Sequence, residues 1–172
     1  SRSIYGEGKY RCSVEGLIYP DSRNVEDMER GEFECLSPYS NEPMEVLPTS
    51  EDSRIHPISA YGLTKFFQEN LLESTCVALE LPFVALRFQN VYGVGQSLSN
   101  PYTGIISIFS NRFRKGKGVN IFEDGQESRD FIYISDVIDS IEGSINIEKK
   151  DPLILNVGSG EMTTVLEVAE IL

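Results

Sequence analysis

Phe83-Val84-Ala85-Leu86-Arg87-Phe88-Gln89-Asn90-Val91-Tyr92-Gly93 is the stretch on which the reading of the fold turns. Its first six residues are an almost continuous apolar run, the pattern of a strand buried on both faces. The run then opens into a polar loop. In α/β proteins, ligands bind at the carboxyl ends of buried parallel strands. Upstream, Leu63, Phe66, Phe67, Leu71, Leu72, Cys76 and Leu79 recur at helical spacing. They predict a helix from Tyr61 to about Glu80, stopped by Leu81-Pro82. A helix feeding directly into such a strand predicts an α/β fold with a parallel sheet.

Length and composition set the frame around this core. At 172 residues the chain suits one domain able to bury a real core. With 40% hydrophobic and 24% charged residues it reads as globular. Fifteen Lys and Arg against 27 Asp and Glu give a net charge of −12. That balance argues against nucleic acid and against an anionic membrane as partners, because both need a basic footprint. No apolar run is long enough to span a bilayer, and no signal-peptide pattern opens the sequence. Three cysteines at unpatterned spacing suit a reducing cytosol better than a disulfide framework, so a cytoplasmic location is expected.

The predicted helix begins with Tyr61-Gly-Leu-Thr-Lys65. Residues four apart lie one turn above each other on one helix face, close enough for a phenol and an ammonium to share a site. The ammonium's field favours phenolate, which makes the pair a candidate general acid/base for moving a hydroxyl proton. Taken alone, the spacing favours a solvated helix end.

Ser1 to Gly6 reads as the tail of a strand entering a loop. Residues 7–57 are polar and loop-like, with one helical turn expected at Asp27–Arg30. His56, before Pro57, reads as structural. Gly93 to Thr103 is a loop. Ile105 to Phe113 reads as a helix, with Gly104 near its N-terminus, where free N–H groups can meet a phosphate. Val119–Phe122 is expected as a short strand. Arg129, in Ser128-Arg129-Asp130-Phe131-Ile132-Tyr133, has the planar fork that suits a diphosphate. Asp136 is expected to cap a helix running to about Asn146. Leu153 to Gly160 reads as a strand and glycine turn, and Thr164 to Leu172 as the start of a helix.

Four of these stretches, in order, resemble motifs of the extended short-chain dehydrogenase/reductase family, in its nucleotide-sugar-modifying branch. They are Ser1 with Ile4-Tyr5-Gly6, Tyr61 with Lys65, Leu86 to Gly93, and Arg129 to Val137. The resemblance implies that residues 1–92 form the C-terminal part of a Rossmann-type domain, with an insertion at about 7–57. Residues 93–172 would then be mainly the smaller substrate-binding lobe. It further implies NAD as cofactor and a nucleotide-diphosphate sugar as substrate. Tyr61, Lys65 and Ser1 take the catalytic roles, and Phe88 backs the nicotinamide. Asn90 contacts substrate, Arg129 holds the diphosphate, and Asn100 and Thr103 are candidate sugar contacts.

Reaction type follows from Arg2 and Ser3, which stand where the family's dehydratases carry an acidic pair; neither offers a carboxyl. That points to 4-epimerisation through a 4-keto sugar, with a 4-ketosugar reductase or a non-catalytic binding fragment as the alternatives. Gln96 to Gly104 resembles a rhamnose 4-epimerase-like subgroup. That subgroup carries an insertion that looks like a small zinc knuckle, from which this chain departs: with Cys12 and Cys35, Glu15 stands where the His would be, and no Cys follows Cys35 at the right spacing. No metal is expected. The family's glycine-rich pyrophosphate turn has no counterpart here, so the chain reads as the C-terminal part of a longer enzyme. By itself it is expected to be inactive, not to bind NAD measurably, and to expose an apolar surface for self-association, most simply as a homodimer.

Overall fold

The computed structural model describes residues 1–98, 100, 104–147 and 151–172. It divides into two compact units, Ser1–Arg87 with Glu148–Asn156, and Phe88–Ile147 with Val157–Leu172. The sequence reading drew one boundary after residue 92; here the chain changes unit inside two strands and returns to the first late in its length.

The first unit opens with a 3-10 turn over Arg2–Tyr5, not a strand tail. Its two apolar residues explain the difference. Ile4 and Tyr5 are adjacent and both buried, which a turn allows but a strand with one face to solvent does not. Gly6 follows at φ 59, and a side chain there would strike the His56 carbonyl. The expected loop at 7–57 holds a small antiparallel sheet. Strand β1 (Lys9–Cys12) pairs on one side with β2 (Gly16–Ile18) and on the other with β3 (Glu45–Leu47). Between β2 and β3 lies α1 (Val25–Glu29), capped by the Asn24 side chain. Cys12, Ile18, Cys35 and Met44 form a private core, with Tyr10 packed against it. Apolar residues spread this thinly among polar ones carry no periodic signal, which is why the sheet was illegible from sequence.

Helix α2 (Ala60–Ala78) starts where the Ser59 hydroxyl accepts from the Gly62 amide. Leu63, Phe67 and Leu71, expected on a covered apolar face, are each more than half exposed. Strand β4 (Val84–Phe88) is likewise only half-buried, except at Arg87. It pairs with β8 (Leu153–Val157), and Leu153 N–H donates to the Phe83 carbonyl at 2.9 Å.

In the second unit β5 (Asn90–Tyr92) runs parallel to β7 (Phe131–Tyr133), with Asn90 opposite Phe131 and Tyr92 opposite Tyr133. Helix α3 (Ile105–Arg114) follows Gly104. Strand β6 (Ser128–Arg129) pairs antiparallel with β9 (Thr163–Thr164), and β8 (Leu153–Val157) leads into the intervening glycine turn. Helix α5 (Val165–Ile171) carries a reciprocal capping box between Thr164 and Glu167. Phe109, Val165 and Val168 form the core, with Val119 and Ile121 against it. Val119 and Ile121 are therefore apolar because they pack on this core, Phe122 beside them is exposed, and the segment is not the expected strand. Helix α4 (Ile134–Ile145) starts earlier than expected, after Tyr133. Asp136 lies inside its first turn, where its charge meets the positive helix end, and is not the cap.

Among the described residues, no helix is long and apolar enough to cross a membrane.

Candidate functional site

Tyr61 sits in the first turn of α2 and Lys65 one turn on. The Lys65 ammonium stands 5.5 Å from the centre of the Tyr61 ring and also donates to Gln68 Oε1 at 3.3 Å. Tyr61 is 59% exposed, and its hydroxyl has no hydrogen-bond partner among the described residues. The helix N-terminus and the ammonium both place positive potential around that phenol. The arrangement leaves the hydroxyl open to a ligand.

Ser1 lies on the 3-10 turn, its hydroxyl 2.9 Å from that of Ser3. This turn packs against the start of α2 through Gly62. A Cβ on Gly62 would clash with the Ser3 carbonyl and touch Pro57. Glycine between Tyr61 and Leu63 is therefore required for the two segments to meet, and it brings the Ser1 segment to the Tyr61 end of the helix.

Behind them lies a polar cluster that the sequence reading did not assign. Arg87 is 2% exposed and forks onto Glu69, Nε to Oε2 at 3.0 Å and Nη2 to Oε1 at 2.5 Å. Its Nη1 donates to the Tyr5 hydroxyl at 2.5 Å and to the Glu51 carbonyl at 3.2 Å. Tyr5 in turn donates to Asn156 Oδ1 at 2.9 Å, and Asn156 Nδ2 donates to the Thr49 carbonyl at 3.0 Å. Burial raises the Tyr5 phenol above its ordinary pKa, more than its bond from Arg87 lowers it. One residue from each of three motifs meets here: Tyr5 of Ile4-Tyr5-Gly6, Arg87 of Leu86-Arg87-Phe88, and Asn156 of Asn156-Val157-Gly158. The signal was present in those motifs, but nothing in the sequence said that they share a partner.

In the second unit Asn90 Nδ2 donates to the Asp130 carbonyl at 3.0 Å, parallel to the backbone bond between the same residues. The Asp130 carboxylate accepts from Ser159 N at 2.8 Å, Ser159 Oγ at 2.9 Å and Gly160 N at 3.0 Å. A Cβ on Gly158 would strike that carboxylate. The glycine turn thus cradles an aspartate of its own chain, as a backbone nest does for any anion. Arg129 donates through Nη2 to both oxygens of Glu127, at 2.8 and 3.0 Å. Its Nε is buried and unpartnered among the described residues. Phe88 ends β4 half-buried. Val91, Tyr92, Gly93, Gln96 and Ile134 line a cleft of about 400 Å³. The Asn100 amide donates to Ser97 Oγ at 3.2 Å, while Thr103 lies outside the described residues. Tyr61, Lys65 and Ser1 therefore belong to one unit, and Phe88, Asn90, Asn100 and Arg129 to the other.

The insertion shows how it holds together. Ser37 Oγ donates to Glu15 Oε2 at 3.1 Å, and Cys12 Sγ lies 3.8 Å from Ser40 Oγ. Hydrogen bonds from Cys12, Ser40 and Ser37 hold the Glu15 carboxyl below the usual carboxylate pKa. Among the described residues no group of three or more His, Cys, Asp and Glu is placed to hold a metal.

This α/β fold, with its parallel strand pairing, is that of the extended short-chain dehydrogenase/reductase class. Residues 33–158 match the NAD dependent epimerase/dehydratase family, and the chain belongs to that family. It is 37% identical over 173 residues to the dTDP-L-rhamnose 4-epimerase of Burkholderia thailandensis, an alignment covering 100% of this chain and 46% of that protein. The UDP-glucose 4-epimerase of Thermotoga maritima, solved with UDP-glucose, aligns at a TM-score of 0.67 and 36% identity, over 74% of this chain and 40% of that one. A mutant UDP-glucuronic acid 4-epimerase of Bacillus cereus, solved with UDP-4-deoxy-4-fluoro-glucuronic acid and NAD, aligns at 0.62 and 27%, over 72% and 38%. The chain spans less than half the length of these relatives.

Proposed function

We propose that this chain supplies the acid–base pair and the diphosphate-binding arginine of an NAD-dependent nucleotide-sugar 4-epimerase. The observation that carries the reading is Tyr61, exposed at a helix start, its hydroxyl without a partner among the described residues and the Lys65 ammonium over its ring. Tyr61 takes the proton from the C4 hydroxyl of the sugar and returns it to the same oxygen after the sugar turns. Lys65 stands over the Tyr61 ring and bonds the nicotinamide ribose. Ser1 hydrogen-bonds the reacting oxygen, and Arg129 holds the diphosphate while the sugar reorients.

These residues fit the cofactor. Lys65 is a half-buried donor bonded to Gln68 and Tyr61 is open to solvent, while Phe88, in the other unit, is assigned to the nicotinamide ring. Bound NAD supplies a reversible hydride acceptor at C4. Asn90, Asn100 and Thr103 are assigned to the sugar. Arg2 and Ser3, which offer no carboxyl for dehydration, support epimerisation without loss of water. A 6-deoxy sugar on dTDP is the first substrate to try, because the full-chain similarity runs to a dTDP-L-rhamnose 4-epimerase. The reading includes a cytoplasmic homodimer.

The test is proton NMR of the full-length protein with dTDP-L-rhamnose and with UDP-glucose, without added NADH. Appearance of the C4 epimer supports the proposal. Formation of no epimer from either sugar, together with NADH-consuming reduction of the corresponding 4-keto sugar, would replace epimerase by reductase, and no turnover in either assay would remove both substrates.

A further inference from the structure

We propose that Glu127 is a resident anion on Arg129, displaced when the nucleotide sugar binds and thereby setting its affinity; this rests on the assignment of Arg129 to the diphosphate. Three observations carry it. Glu127 and Arg129 flank Ser128 at the start of β6, so alternation along the strand turns both side chains to one side. Both Glu127 oxygens crowd onto one nitrogen, Nη2, at 2.8 and 3.0 Å. A strong arginine–carboxylate pair instead uses two parallel N–H···O bonds from two nitrogens. This chain shows that stronger form at Arg87, where Nε and Nη2 each take one oxygen of Glu69. At Arg129 the Nε donor of the same edge is buried and unsatisfied.

Arg129 therefore holds its local carboxylate through half of the edge it could use. A diphosphate carries more charge than a carboxylate and has oxygens spaced to take Nε and Nη2 together. Glu127 can leave without stranding its charge, because its side chain is 41% exposed and returns to water. Exchange between partners is easy because a half-exposed ion pair contributes little. The other nearby carboxylate, Asp130, does not compete, since Ser159 and Gly160 hold both its oxygens. Glu127 thus keeps the arginine paired in the absence of substrate and weakens binding to a reversible range.

The experiment is calorimetric titration of the full-length protein with UDP and with dTDP, for wild type, Glu127→Gln, Arg129→Gln and the charge control Glu161→Gln. Displacement predicts about fivefold tighter binding for Glu127→Gln, the change expected from removing one half-exposed ion pair. Arg129→Gln should bind about tenfold or more weakly, and Glu161→Gln should match wild type. If Arg129→Gln binds as wild type, the diphosphate assignment itself fails. Weakened Arg129→Gln with unchanged or weakened Glu127→Gln would keep that assignment and overturn displacement, leaving Glu127 as a positioning residue. Equal tightening in Glu161→Gln and Glu127→Gln would reduce the effect to net charge and also overturn it.

Discussion

Replacing Arg87 by Ala should cost this fold more than any other single truncation in the first unit. The side chain is 3% exposed and its partner Glu69 11%, so the substitution leaves a carboxylate with neither water nor a counter-charge. Stranding one member of a buried pair costs about 3–5 kcal/mol. The Glu51 carbonyl also loses its donor, and the Tyr5 ring loses the guanidinium 5.2 Å from its centre. These losses overlap, so about 4 kcal/mol is the working figure, against a total stability of about 5–15 kcal/mol for a typical domain. Arg87→Lys keeps the charge but not the fork and should lose about half as much. Arg87→Met with Glu69→Leu removes both charges and should recover most of the stability, since apolar replacement of a buried pair is often neutral. Urea unfolding followed by circular dichroism measures all three. A cost below about 1 kcal/mol for Arg87→Ala, or a double variant less stable than the single one, would refute this account of the cluster.

Gly62→Ala should destabilise by about 1–3 kcal/mol although alanine is the better helix former, because its Cβ meets the Ser3 carbonyl; a thermal melt showing stabilisation would contradict the packing of the Ser1 turn on α2. Glu15 stabilises the insertion through a carboxyl whose folded pKa is depressed. That contribution is present above the ordinary carboxylate pKa of about 4.3 and is lost as pH falls through the lowered value. Amide exchange of β1 and β2 between neutral and acid pH should show the loss in wild type, and Glu15→Gln should flatten it.

The parts of the fold that were legible in sequence are those with strong periodicity or a hard stop. The helix expected from Tyr61 to about Glu80 is α2, Ala60–Ala78, and β8 and α5 lie where apolar runs meet glycine and Thr164. Reading failed where apolar residues serve packing rather than a ladder. Val119 and Ile121 alternate like a strand but cover Phe109, and Ile4 and Tyr5 are buried side by side in a turn. The sheet within the insertion has no sequence signal because its core rests on two cysteines, an isoleucine and a methionine, too sparse for either period. At the site, individual motifs were visible but not their partners. Tyr5, Arg87 and Asn156 are 82 to 151 residues apart where they bond, a distance at which sequence pattern carries no pairing information. Glu127 was passed over because its effect on Arg129 depends on which nitrogen it holds.

The central claim is that Tyr61 moves the proton of the sugar C4 hydroxyl. Turnover of the Tyr61→Phe variant of the full-length protein, measured by proton NMR on the nucleotide sugar that wild type epimerises, tests it most directly. The account predicts nucleotide-sugar affinity close to wild type and turnover lower by about a hundredfold or more, the contribution of a positioned acid–base group. Turnover within a few-fold of wild type would contradict it.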